Sequence, residues 1–222
     1  MRLSAIHQAR VIFFLEVLDL NPRGAAYYPS IVRALNERYG FQKFPQEFKD
    51  FDESKGITFE LGTTGNTTID KFVIYQNGLQ LDTRASTEDS EAILEEALSW
   101  AAQTLGLKYT SDMVKMKAYV SYFSFYSDSA LLQVNPILKN LSMKLAKTVS
   151  ENLHLSAIFE PTGILWGLDP AEQRMPVQSF SIERRQQTPF SEGKYFSAAP
   201  LPTDIHLALV EEFEKAVLAQ NH

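Results

Sequence analysis

Ile69-Asp70-Lys71-Phe72-Val73-Ile74-Tyr75-Gln76-Asn77-Gly78-Leu79-Gln80-Leu81-Asp82-Thr83-Arg84 places an alternating run on each side of Asn77-Gly78. Asn-Gly in that setting is the strongest short-range hairpin signal, because both residues tolerate the positive φ of a type I′ turn. A two-residue Asn77-Gly78 loop pairs Gln76 with Leu79, Ile74 with Leu81 and Phe72 with Thr83. These pairs share one face of the ribbon, so turn chemistry and apolar pattern agree on an antiparallel pair. In this register Asp82 points away from Leu81, toward solvent.

The flanking segments extend the same architecture. Upstream, Arg10 to Leu20 carries β-branched and aromatic residues on both faces and reads as a buried central strand, with a short buried helix as the alternative. Pro29 to Tyr39 reads as a helix that starts on proline, ends before Gly40 and buries Ile31, Val32, Leu35 and Tyr39. Phe41 to Gly56 is irregular, with one turn of helix at most. Ile57 to Leu61 is a strand that Gly62-Thr63-Thr64-Gly65-Asn66 turns back.

Downstream, Ser86 to Glu91 holds helix-capping residues and first-turn acids. It opens a helix to Leu105 whose inner stripe runs from Ile93 through Leu94, Ala97, Leu98 and Ala101. Met113 to Tyr126 is a long strand with Tyr119, Phe123 and Phe125 on one face and Tyr122 and Tyr126 on the other. Asn135-Pro136 caps a helix to Asn152 with Ile137, Leu138, Leu141, Leu145 and Val149 inward. A second hairpin is predicted from Leu155 through a Glu160-Pro161-Thr162-Gly163 turn to Leu168, then a strand over Val177 to Arg184 with Phe180 and Ile182 inward. Gln186 to Pro202 is irregular. A last helix over Thr203 to Ala219 turns Leu209, Val210, Phe213 and Val217 inward and Glu211, Glu212 and Glu214 to water. The fold class is α+β, one domain over residues 1–222, with a mostly antiparallel sheet of about six to eight strands free to curve and about four helices mainly on one face.

Composition narrows the chemistry. The 222 residues include no cysteine, which removes disulfides, thiolate catalysis and iron–sulfur clusters and fits the reducing cytoplasm. A formal net charge of −6 opposes nucleic acid as the main partner, since phosphate neutralisation needs a basic surface. The apolar run from Val11 to Leu18 contains Glu16 and leads into Asp19 and Pro22, so it reads as neither signal peptide nor membrane span.

Motifs for catalysis are missing. His7, His154, His206 and His222 stand far apart and read as surface or cap residues, and Gly62-Thr63-Thr64-Gly65 lacks the following helix a phosphate loop uses. Glu47-Phe48-Lys49 with Asp50 and Asp52 has the residue types of a nuclease-like acid cluster but sits in an irregular segment without a strand acid before it. No catalytic residue, metal ligand or cofactor is assigned.

Two stretches hold residue types enriched at protein contacts. One is the aromatic strand, with Tyr122 and Tyr126. The other, near Arg174, runs from Arg184-Arg185 to Tyr195-Phe196. The expectation is a non-enzymatic interaction module: an accessory or adaptor subunit of a larger cytoplasmic complex, binding another protein or itself, with no membrane association. A small metal-dependent hydrolase acting on phosphodiesters is the alternative from another class. A single-strand nucleic-acid binder using an aromatic sheet face is the third reading.

Overall fold

Strands β1 (Arg2–Phe14), β2 (Ile57–Thr64), β3 (Thr67–Tyr75), β4 (Gly78–Thr83), β5 (Met116–Tyr126), β6 (Gly163–Trp166), β7 (Phe180–Arg184) and β8 (Lys194–Ala199) form an open antiparallel sheet in the order β2-β3-β4-β1-β5-β8-β7-β6. Helices α1 (Tyr28–Tyr39), α2 (Thr87–Leu105), α3 (Pro136–Leu153) and α4 (Thr203–Gln220) complete the α+β fold. The structure is a computed structural model describing residues 1–24, 26–52, 54–172 and 176–220, so Arg174 and His222 lie outside the described residues. Among the described residues no helix is long and apolar enough to cross a membrane. Contacts group the chain into two compact units, one of Ile6–Ser121 with Pro200–Asp204, the other of Met1–Ala5, Tyr122–Ala199 and Ile205–His222.

In the unit built on Ile6–Ser121, α1 and α2 form as their caps dictate. Tyr28 and Pro29 start α1, and Gly40 ends it at φ 61°. Ser86 caps α2, its hydroxyl accepting from the Asp89 amide at 3.0 Å, and Gly106 closes it. Ile31, Val32, Leu35 and Tyr39 of α1 and Leu94, Ala97 and Leu98 of α2 are buried in one cluster with Val11, Phe13, Phe59 and Leu81.

The central hairpin exists in a different register. Tyr75 pairs with Gly78, Ile74 with Leu79 and Phe72 with Leu81, so the loop is Gln76-Asn77 and each residue meets a partner two positions from the expected one. The apolar faces are unchanged because the slip is even. Gly78 does not take a positive φ. It lies opposite Phe14 of β1, and a Cβ there would stand 2.5 Å from the Phe13 carbonyl oxygen. The glycine serves strand contact, not the turn. The loop carbonyls are bound as well: Asn77 O accepts from the Leu15 amide at 3.3 Å and Gln76 O from the Val17 amide at 3.1 Å.

Three further expectations change here. The strand expected over Arg10 to Leu20 begins at Arg2 and stops at Phe14, and Val17–Leu20 is a short 3-10 helix. Residues 62–64 continue β2, leaving only Gly65-Asn66 as the turn. Asp82 is buried, not solvent-facing: it sits opposite Arg10, whose Nε and Nη2 donate to its two oxygens at 2.8 and 2.7 Å. A bidentate arginine offsets the cost of burying the carboxylate.

On the same unit, Lys117 bridges α2 and β5, donating to Glu91 at 2.6 Å and Glu95 at 2.8 Å, while the Tyr119 hydroxyl donates to Glu91 at 2.7 Å. Burial, then the Glu91 hydrogen bond and charge, push Tyr119 up to about 12. Lys117 is raised too, burial opposing but its two carboxylate partners prevailing.

In the other unit β7 joins β6 and β8, with Ile164 opposite Ile182 and Glu183 opposite Phe196. The hairpin expected over Leu155 to Leu168 does not form: residues 155–162 are irregular, and β6 pairs with β7 across a long connection. The strand expected from Val177 starts at Phe180, and the stretch read as irregular from Gln186 contains β8. Phe123, Phe125, Ile182, Tyr195 and Val210 are fully buried, with Phe125 and Tyr195 stacked at 5.5 Å. His206, expected at a surface or cap, is in this core, 4.3 Å from Phe123 between ring centroids. Ser197 donates its hydroxyl to the Ser181 carbonyl at 2.6 Å, so its oxygen accepts from His206 Nε2 at 2.7 Å. Glu214, expected in water, is buried and accepts from Ser127 at 2.5 Å.

Gly78→Ala should lower the unfolding free energy by about 1–3 kcal/mol through the clash with β1, measured by urea unfolding. Above pH 10 stability should fall: unfolded Tyr119 loses its proton near its ordinary value while the folded hydroxyl holds it to about 12, and Lys117 likewise favours folding only while protonated. Tyr119→Phe should make the decline of the urea midpoint between pH 10 and 12 shallower, and an unchanged slope would contradict the network.

Candidate protein-contact surface

The six residues singled out in the sequence divide between the two faces of β5, β7 and β8, because neighbours in a strand point to opposite sides. Tyr122 and Phe196 meet at 5.9 Å, with the Arg185 guanidinium 5.7 Å from the Phe196 ring. Tyr126 lies on that same side, its ring contacted by Arg2 at 4.9 Å and Lys194 at 5.1 Å. The Tyr122 hydroxyl donates to Gln178 at 3.1 Å. Four of the six thus gather on one partly exposed, cation-lined sheet face.

Arg184 and Tyr195 lie on the other side, inside the unit. Arg184 is held by Glu160 at 2.5 Å and the Phe190 carbonyl at 3.1 Å, with its guanidinium 4.7 Å from the Tyr195 ring. Burial raises the Tyr195 hydroxyl, which donates to Ser129 O at 3.0 Å. These two residues brace the interior of the unit.

A larger surface is formed by α3, whose apolar stripe was expected to point inward. Its local signals work as read: Asn135 accepts from the Ile137 amide at 2.9 Å, Pro136 takes the first turn, and His154 ends the helix at φ 51°. Yet no side chain of α3 is buried. Its least exposed positions are Ser142, Ala146, Val149 and Ser150, at the i, i+4, i+7, i+8 spacing of one side. Ile137, Leu138, Leu141 and Leu145 turn outward instead, Ile137 at 76% exposure and Leu141 at 51%. The helix leaves its small residues half-covered and presents its large ones to water. The Ser142-Ala146-Ser150 spacing is the sequence signal that could have shown this, since small side chains every fourth residue let a helix lie close on its support. Lys144 borders the stripe, and Glu151 is the one acid on the helix.

The acids of the irregular segment before β2 serve local turns. Asp50 accepts from the Gln46 and Glu47 amides at 3.1 and 3.0 Å, which hold its carboxyl below the usual range, and Asp52 caps Ser54. These acids close a turn. Among the described residues no group of three His, Asp or Glu is placed to hold a metal ion. An apolar cavity between α1, α2 and the sheet, lined by Leu20, Ile31, Phe72, Leu94 and Leu98, has Asn21 on its wall. The Asn21 amide donates to Ala26 O at 2.8 Å. Comparison with models of known protein families and with curated proteins finds no match.

Arg184→Ala should cost about 3–5 kcal/mol of stability, because it leaves the Glu160 carboxylate partly buried without its cation. Arg185→Ala should stay within about 0.5 kcal/mol. Thermal unfolding of both variants checks the division; equal losses would contradict it.

Proposed function

We propose that this protein is a non-enzymatic protein-interaction module, an accessory or adaptor subunit of a larger complex in the cytoplasm. One observation carries the reading: Ile137, Leu138, Leu141 and Leu145 stand in water along one face of α3. Isolated helices of this length draw most of their stability from packing an amphipathic face, so a helix with nothing buried is stabilised when that face is covered. Contiguous apolar patches of a few hundred Å² mark contact sites on folded proteins. The absence of cysteine agrees with a cytoplasmic setting. Tyr122, Tyr126, Arg185 and Phe196 supply a second, more polar contact on the sheet.

The test retains whatever binds a tagged chain in its native cells, untagged copies of itself included, and repeats it with Ile137→Glu/Leu141→Glu. The wild type should hold a partner at fixed molar ratio and the variant, with unchanged circular dichroism, should lose it. Equal retention by the two, or no stoichiometric partner for the wild type, would overturn the reading.

A further inference from the structure

The sheet face that carries Tyr122, Tyr126 and Phe196 holds its cations in a row. Arg2 opens β1, Tyr126 closes β5, Lys194 opens β8 and Arg185 directly follows β7, and these strands are neighbours in the order β1-β5-β8-β7. Contacts link each member to the next. The Tyr126 ring holds Arg2 at 4.9 Å and Lys194 at 5.1 Å, and the Arg185 amide donates to the Lys194 carbonyl at 3.0 Å. The Arg185 guanidinium lies against Phe196, which is two residues along β8 from Lys194 and so on the same side.

Acids do not neutralise this row. Among the described residues no carboxylate lies within ion-pair distance of Arg2, Lys194 or Arg185. Glu183 shares the face, but its stem lies toward β6, where a Cβ on Gly163 would stand 3.0 Å from the Glu183 Cγ. The unit that contains the row has nine Lys and Arg against ten Asp and Glu, so five of the chain's six net negative charges fall in the other unit.

We infer that this row binds an acidic segment of a partner protein, an extended stretch bearing aspartate and glutamate side chains. The inference rests on the sheet face being a protein contact, as proposed above. From β1 to β7 is three strand spacings, roughly 14 Å, which equals two steps of roughly 7 Å between alternate side chains of an extended chain. Three carboxylates on one side of such a chain therefore match the span of the three cations. A cleft of about 360 Å³ at the β7 end, lined in part by Arg185, Gln186, Gln187 and Phe196, adds two exposed glutamine amides as further donors. Cations resting on rings keep their charge, so an anion docks beside them without displacing them. Single-stranded nucleic acid suits the row less. Its affinity grows with the number of phosphates neutralised, and three cations are few. Its bases stack on bare rings, whereas Tyr126 and Phe196 have cations against theirs.

Fluorescence anisotropy of a fluorescein-labelled peptide of alternating glutamate and serine, titrated with the full chain, tests the assignment. The same peptide with glutamine for glutamate, and an oligothymidylate of equal length, are the comparison probes. The glutamate peptide should bind and the glutamine peptide should not, and the binding should weaken about fivefold or more between about 20 and about 200 mM salt. Arg185→Glu/Lys194→Glu should raise the dissociation constant about tenfold or more with unchanged circular dichroism, and Arg185→Ala alone about threefold. Lys139→Glu/Lys215→Glu makes the same charge change elsewhere on the unit and should leave the peptide bound as in the wild type. No binding of the glutamate peptide overturns the inference. So does equal weakening by the two double variants, which is a response to net charge alone. Tighter binding of the oligothymidylate also overturns it and makes the face a nucleic-acid site. Ile137→Glu/Leu141→Glu should bind the peptide as the wild type does. If the peptide fails while the wild type retains a partner that this α3 variant loses, the interaction reading stands and only the acidic segment falls; if no partner is retained either, both fall.

Discussion

The first strand sets the terms for the unit built on Ile6–Ser121. β1 lies between β4 and β5, so both of its backbone edges are occupied and its Val11 and Phe13 are sealed from water. The partners on its two sides come from about 70 and about 110 residues later in the chain, which makes β1 a strand that must wait for the rest. Two local features make the wait productive. Gly78 lets the β4 backbone come close to Phe13, and Arg10 finds in Asp82 the one carboxylate directly across the ladder. Moving β1 by one residue would place Arg10 on the wrong face and a side chain against Gly78's neighbour, so shape and charge fix the same register.

Local signals were legible in the sequence wherever the physics is local. Capping by Ser86 and Asn135, the left-handed glycines at 40 and 106 and the buried stripes of α1 and α2 each follow from residues within one or two turns. The central hairpin was legible as a hairpin, but Asn77-Gly78 satisfies two requirements at once, and the distant Phe13 carbonyl decided which of them held. Asp82, His206 and Glu214 read as surface residues because charge and polarity usually stay in water. Each is buried because a partner on another element satisfies it: Arg10 for Asp82, Ser197 for His206, and Ser127 with the Met1 ammonium for Glu214.

β8 was missed for a related reason. In Lys194-Tyr195-Phe196-Ser197-Ala198-Ala199 the core side is Tyr195, Ser197 and Ala199, while Phe196 is on the outer side, so no apolar alternation appears. Its strand character comes from pairing with β7, not from its own pattern. The candidate site shows the same limit from the opposite direction. Periodicity identified every apolar residue of α3's stripe, but period reports only that a face exists. What covers that face depends on which side of the helix can approach its support, and Ser142, Ala146 and Ser150 are the side chains small enough to do so.

The two proposed contact surfaces differ in what they ask of a partner. On the sheet, the Tyr126 ring already holds Arg2 and Lys194, and Phe196 has Arg185 beside it. A partner docking there must displace or accommodate cations that its rings already hold, each such pairing worth ~0.5–1 kcal/mol at an exposed site. Covering the α3 stripe displaces only water. Each exposed aliphatic side chain returns roughly 1.5–3 kcal/mol on full burial, before the cost of association is subtracted. The aromatic face therefore suits orientation, with its rings and cations already ordered. The helix supplies the driving force, and a partner that engages both would be held by α3 and aligned by the sheet.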